Sequence, residues 1–244
     1  MELNFFRADP VGNVTIIVTT EIPSKIRATV ASKLLERDSK AEQVGFWTSP
    51  IYGGEFRIEM MGNEFCGNAF RCAALIYAKN HNCNIVRGEI SGYDRTLTAS
   101  VNLENNMVWL NMPQARITKK EYGNLVLPCV EFPGIMHFIH TSQTFIPKDR
   151  ETFQKLSSKY DSPSVGLMIY NNIDESIEPF VYVAATDTLY RENSCASGTA
   201  AVTAYLKRDH DFKEPGGILS SKYLPLSIGS VITLKQEEKI DVIL

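Results

Sequence analysis

The chain lacks any uninterrupted apolar stretch close to the roughly 20 residues a membrane-crossing helix needs. Its first residues carry Glu2, Arg7 and Asp9 where a secretory leader needs an apolar segment. It also lacks a basic tract: the longest runs are Lys119-Lys120 and Lys207-Arg208, and the net charge is −3. Neither nucleic acid nor an anionic membrane is therefore expected as a partner. The five cysteines are odd in number and show no repeated short spacing, so a secreted disulfide framework is not expected. The reading is a cytoplasmic protein with reduced thiols. Gly53-Gly54 and Gly216-Gly217 match neither a phosphate-cradling loop nor a dinucleotide fingerprint. His137 and His140 fall in no ligand spacing, and structural zinc needs four converging ligands, so neither a metal nor a cofactor is expected.

What is present is an ordinary globular composition, 44% apolar and 22% charged over 244 residues, enough for one large domain or two modest ones. Val14–Thr19 reads as a strand entered through the Pro10-Val-Gly-Asn13 turn. Ile26, Val30 and Leu34 recur every four residues after Pro23, which predicts a helix to about Arg37. Strands are expected at about 44–48 and 55–61, then a helix after Cys66, then a hairpin of 96–103 with 107–112. Pro113 ends a first lobe, 1–113. A second lobe, 114–235, repeats the order, with strands near 124–130 and 135–141, a helix at 148–160, strands at 164–171 and 180–186, and a helix after Cys195. Two strands, about 229–235 and 239–244, finish the chain, the last segment (236–244) returning to the first lobe.

Two passages stand out, Glu64-Phe-Cys-Gly-Asn-Ala-Phe-Arg-Cys72 and Glu192-Asn-Ser-Cys-Ala-Ser-Gly-Thr199. Each sets a cysteine ahead of small residues that open an apolar helical pattern. The first N–H groups of a helix have no partner within it, so they attract negative charge, a thiolate or a carboxylate. One cysteine before a helix is more often a small buried apolar group than a catalyst. Cys72, Cys83 and Cys129 are read that way, Cys72 because it lies six helical positions beyond Cys66 and faces elsewhere. Two cysteines in matching contexts read instead as halves of one site. Of Arg191 and Glu192, just before Cys195, one is expected to face the cleft.

A thiolate and a thiol on opposite sides of one carbon can take a proton from one face and return another to the opposite face, inverting a stereocentre. Helix N–H groups gripping an α-carboxylate would stabilise the charge that develops on it. From a different class, the same residues would suit a thiol redox sensor or a non-catalytic amino-acid binding protein.

Cys66-Gly-Asn68 and Cys195-Ala-Ser-Gly-Thr199 resemble the two signature motifs of the diaminopimelate epimerase family, pyridoxal-independent amino-acid racemases and epimerases. Pro10-Val-Gly-Asn13 is similar to that family's substrate-binding turn. A closer resemblance is to the branch of histidine racemases that supply D-histidine to staphylopine-type metallophores. It is carried by Gly12-Asn13, Glu42-Gln-Val-Gly-Phe46, Gly62–Ala69, Met112-Pro-Gln-Ala115, Val165-Gly-Leu-Met168, Glu192–Cys195 and Pro215-Gly-Gly217.

The resemblance implies an α/β (α+β) fold of two pseudo-symmetric lobes, each a mostly antiparallel sheet wrapped round a central helix. It implies Cys66 and Cys195 as the acid/base pair, and Gly67, Asn68, Ala196 and Ser197 as the α-carboxylate site. Asn13 would touch the substrate's polar head, Gln43 would lie near the side-chain pocket with Glu42 beside it as acceptor for an imidazole N–H, and Glu192 joins the substrate-binding set. The implied partner is a small amino acid, and the family often pairs two subunits, so a homodimer is compatible with it. The segments before the two cysteines, Met60–Asn63 and Arg191–Ser194, are shorter than in diaminopimelate enzymes, which points away from diaminopimelate; that epimerase, or a proline-type racemase, is the alternative.

Overall fold

The computed structural model describes residues 1–141, 144 and 146–242, and of residues 236–239 only the backbone. The first half of the chain runs β1 (Glu2–Asp9), β2 (Val14–Val18), α1 (Ser24–Arg37), β3 (Ala41–Thr48), β4 (Phe56–Met60), α2 (Gly67–His81), β5 (Ile85–Ile90), β6 (Tyr93–Asn102) and β7 (Met107–Asn111). After β8 (Arg116–Tyr122) come β9 (Leu125–Phe132), β10 (Ile135–His140), α3 (Arg150–Tyr160), β11 (Ser164–Asn171), β12 (Ser176–Val183), β13 (Thr188–Arg191), α4 (Ala196–Leu206), β14 (His210–Glu214), β15 (Gly217–Lys222) and β16 (Ser227–Val231), followed by β17 (Thr233–Asp241). This is a mixed α+β fold, mostly sheet with few helices. No helix among the described residues is long and apolar enough to cross a membrane.

Parallel strands need a long crossover, and here helices supply it. α1 and α2 bridge the parallel pairs β2–β3 and β4–β5, and α3 and α4 bridge β10–β11 and β12–β14. Antiparallel pairing joins β3 to β4 and, correspondingly, β11 to β12. Both halves thus follow one programme. Their matching last strands, β7 and β16, pair antiparallel with each other, Trp109 opposite Gly229, and β17 pairs antiparallel with β1.

The helices that precede the final strands of each programme are the buried ones. α2 hides Ala69, Phe70, Ala73 and Ala74, and its end is set by Asn82 in the left-handed conformation with Lys79 and His81 in the last turn, where cations suit the dipole. α4 is buried continuously from Ala196 to Ala204, which is why its sequence is apolar on every side. Side chains of both helices share one core. α1 and α3 are amphipathic and lie outside, α1 on Val44 and Phe46 and α3 on Tyr122 and Phe138.

The helices and most strands fall where the sequence pattern puts them. The strand expected at 180–186 is Ser176–Val183, and the rest is a 3₁₀ turn closed by Asp187 at φ 50°. The expected 229–235 strand is split between β16 and β17 at Ile232, and of the expected 239–244 strand, residues 243 and 244 lie outside the described residues. β1, β5, β8, β13, β14 and β15 are not announced by the pattern. β1 alternates only in part, with Leu3, Phe5 and Ala8 buried, and is held by pairing to β2 and β17 on its two edges.

Phe56 anchors the outer face of α2, its ring 5.3 Å from Trp47, 5.2 Å from Phe70 and 5.9 Å from Tyr77. A methyl on Gly88 of the neighbouring β5 would stand 2.3 Å from that ring, so the ring occupies the glycine's missing side chain. Replacing Phe56 by alanine is expected to cost about 3–5 kcal/mol. A urea titration should show the midpoint lowered accordingly, and G88A should also lower it by forcing the ring to move.

Candidate active site

Cys66 is the N-cap of α2 and Cys195 the N-cap of α4, with nearly the same extended backbone, φ −134° and ψ 107° for one, φ −134° and ψ 98° for the other. The Ala69 amide donates to Cys66 Sγ at 3.4 Å, and the Cys66 thiol donates to Gln43 Oε1 at 3.0 Å. The helices meet N-terminus to N-terminus: a methyl on Gly67 would stand 3.1 Å from Cβ of Ala196. Between them lies a narrow cavity, partly open to solvent, lined by both cysteines. Glu42, Gln43, Gly67, Asn68, Glu192, Ala196 and Ser197 line it as well.

Asn13 is tied into the wall of the cavity. It is 1% exposed and stands behind the lining residues, where its Oδ1 accepts from Gln43 and Asn68 and its amide donates to Glu42. Glu42 is also occupied, since Asn13 takes Oε2 and the Asn193 side chain takes Oε1. Glu64, which lines the same cavity, accepts only from backbone N–H, that of Gly62 at 2.9 Å. Of Arg191 and Glu192, Glu192 faces the cavity, while Arg191 pairs with Glu178 on the surface.

Several residues that matter to the site escaped the sequence pattern. Glu214 accepts the Cys195 amide at 2.6 Å and the Thr199 hydroxyl, so it braces the first turn of α4 from behind. Arg71, on α2 itself, is fully buried and among the described residues bonds only neutral groups, Ser230 Oγ at 2.6 Å and Asn68 Oδ1. This fixes the Asn68 amide so that it donates to Asn13 Oδ1 and to the Ser194 carbonyl, each at 3.0 Å. His137, fully buried, reaches Ser197. The available signal for Arg71 and Glu64 was their place inside the first cysteine passage; for Glu214 and His137 no local signal exists.

Burial dominates the electrostatics. It pushes both thiols up, with Glu192 adding to the effect at each. It raises the carboxyl of Glu64 to about 7 and those of Glu192 and Glu214 to about 8, and raises Glu42 above the usual carboxylate range. The buried Arg71 guanidinium is lowered to about 10 by the same desolvation. The site therefore sets desolvated acids around two helix N-termini and one buried cation. Among the described residues no group of three or more His, Cys, Asp or Glu side chains is arranged to hold a metal ion.

The fold is shared with solved enzymes. A hydroxyproline epimerase from Agrobacterium vitis, with bound trans-4-hydroxy-L-proline, superposes with a TM-score of 0.65 at 9% identity, covering 97% of this chain and 91% of that one. The protein is an isomerase of the amino-acid racemase and epimerase class. The family model described as histidine racemase CntK N-terminal domain matches residues 2–240. A histidine racemase of Fusobacterium nucleatum is 31% identical over 84% of this chain and 81% of its own length. One of Staphylococcus aureus is 27% identical over 88% of this chain and 86% of its own. The chain belongs to the histidine racemase family.

The raised carboxyls have a consequence for stability. Glu64, Glu192 and Glu214 keep protons to about pH 7, 8 and 8 when folded but release them near 4.5 when unfolded. The native state then binds more protons than the unfolded chain, so stability falls as pH rises across that interval. His137, lowered by burial to about 3 from 6.5, acts in the opposite sense below pH 6.5. The clean window is therefore pH 6.5 to 8, where the melting temperature of the ligand-free protein should decline, and E192Q should flatten the decline.

Proposed function

We propose that the protein interconverts L- and D-histidine by passing the α-proton between Cys66 and Cys195, without pyridoxal or another cofactor. The observation that carries the reading is the pair of thiols capping two opposed helices on one cavity. The substrate's α-carboxylate takes the first N–H groups of the two helices, at Gly67, Asn68, Ala196 and Ser197, where two helix ends favour negative charge. One cysteine, as thiolate, removes the α-proton from its side. Negative charge moves onto the carboxylate oxygens, where the helix N–H groups stabilise it. The other cysteine, as thiol, delivers a proton to the opposite face, and the reverse reaction exchanges their roles.

The acidic wall suits the rest of the substrate. Glu192 stands by the reacting centre and is matched to the α-ammonium group. The imidazole goes to Glu64, since both oxygens of Glu42 are engaged by asparagines. Asn13 and Gln43 hold Glu42 and Cys66 in register and act through them. Support for histidine over diaminopimelate comes from membership of the family and from the histidine racemases that match along most of the chain. Among the described residues the cavity lining includes no lysine, the side chain a pyridoxal aldehyde would need. The lobes are assigned as 1–113 and 114–235, supported by the repeated pairing programme, with the final strand returned to β1.

Incubation with L-histidine in deuterated water should yield D-histidine carrying deuterium at Cα, and D-histidine should give the L form. C66S and C195S should each lower racemisation by about 10²- to 10⁴-fold. If histidine keeps its α-proton while diaminopimelate or another amino acid loses it, the substrate assignment falls; if C66S and C195S both racemise at the native rate, the mechanism falls.

A further inference from the structure

Behind the cavity wall, His137 lies fully buried on β10 and does not line the cavity. Its Nε2 is 2.9 Å from Ser197 Oγ, and that oxygen is 3.7 Å from Cys195 Sγ. The two-cysteine chemistry makes no use of this imidazole. The neighbouring strand nevertheless makes room for it. Gly166 of β11 pairs opposite His137, and a methyl on it would stand 2.1 Å from Nδ1.

We infer that His137 is a positioning residue: it holds the Ser197 hydroxyl so that its proton points to Cys195 Sγ, which favours the thiolate of Cys195 when that residue acts as the base. Two observations lead there. Nδ1 is buried with no hydrogen-bond partner among the described residues. A proton on Nδ1 would be an orphaned buried donor, which proteins avoid more strictly than a bare acceptor. The proton therefore sits on Nε2 and is donated to Ser197 Oγ, and the hydroxyl's own proton is left for the sulfur. A donor to the charged form favours that form.

The second observation is the contrast with Cys66. There the neighbour is the Gln43 carbonyl oxygen, an acceptor at 3.0 Å, and an acceptor favours the protonated thiol. Its amide end is committed to Asn13 and Thr15, so the orientation of Gln43 is fixed. The charged and titratable groups facing Cys195 are Glu192, which also accepts a hydrogen bond from the thiol, and Glu214, with burial the larger influence. Both carboxyls keep their protons to about pH 8, so at neutral pH they oppose the thiolate little. Cys66 has Glu64 and Glu192 beside it. The Gly198 amide assists the Cys195 anion, as the Ala69 and Asn68 amides assist that of Cys66. What Cys195 has and Cys66 lacks is the Ser197–His137 pair.

The test is the pH dependence of alkylation by iodoacetamide, followed separately at each cysteine by peptide mass spectrometry of the intact full-length protein. H137F should raise the Cys195 midpoint by about one pH unit, a tenfold slower reaction at fixed pH below it, and leave Cys66 in place. H137Q, whose amide restores a donor near Nε2, should recover most of the shift. S197A should reproduce H137F, and it carries the test if H137F does not fold. An unmoved Cys195 midpoint, or a common shift of both cysteines, overturns the inference. The inference rests on the two-thiol reading, but alkylation needs no substrate, so it can fail while racemisation stands, and it survives a wrong substrate.

Discussion

Two helix N-termini pointed at each other are an unfavourable arrangement left to themselves. Each carries about half a positive charge on unpaired N–H groups. Here they close to contact, with Gly67 against Ala196, and Arg71 adds a whole buried charge beneath one of them. Such a junction persists only if the rest of the fold forces it and if something negative is held between the ends. The forcing comes from the sheet. Each helix is clasped by its own crossover, and the matching strands β7 and β16 pair antiparallel, which brings the two programmes together across a local pseudo-twofold. The small residues at the helix starts follow from this, because any larger side chain on Gly67 would push the ends apart.

The negative partner is supplied with restraint. Four carboxyls surround the junction, yet burial holds three of them protonated near neutral pH and raises the fourth. A site with four full negative charges would have been neutralised without help and would repel a carboxylate ligand. With protons in place the helix ends keep their appetite for an anion, and the acids remain able to take up the positive groups of an amino acid by releasing those protons. Desolvation, which costs both thiols and carboxyls their charge, is thus the same influence that leaves the site ready for a zwitterion.

The sequence displayed the two reactive centres more clearly than it displayed what holds them. Cys66 and Cys195 were legible because helix N-caps are local features: a cysteine, two or three small residues and an apolar run suffice. The buried helices, and some strands beside them such as β2 and β7 against α2, were legible through periodicity for the same reason. Glu214 and His137 were not, because each reaches its cysteine from a strand distant in the chain, and no spacing rule connects positions 214 and 195 or 137 and 197. β8 and β14 were hidden by polar residues on strands with one exposed face, where the ladder rather than the composition makes the strand. Asn13 shows a subtler limit. The turn was recognised, but not that the fold turns its side chain inward to join Gln43, Asn68 and Glu42.

That inward turn explains why the distance between the thiols is a property of the protein. The Pro10–Asn13 turn is wedged between elements of both halves: Gly12, at φ 83°, is packed on Gly216, and Ser194 Oγ donates to the Pro10 carbonyl at 2.9 Å. From Asn13 one line of hydrogen bonds runs through Gln43 to Cys66, another through Asn68 to the carbonyl of Ser194, the residue before Cys195. A third passes through Glu42 to Asn193. Apart from the exposed Asn193, the polar groups of this web are buried or partly so, and each lost partner among them would leave a desolvated group unpaired. The two sulfurs are therefore held to a single polar lattice that spans both halves, and a two-base inversion, which tolerates little error in where the second proton arrives, needs that kind of constraint.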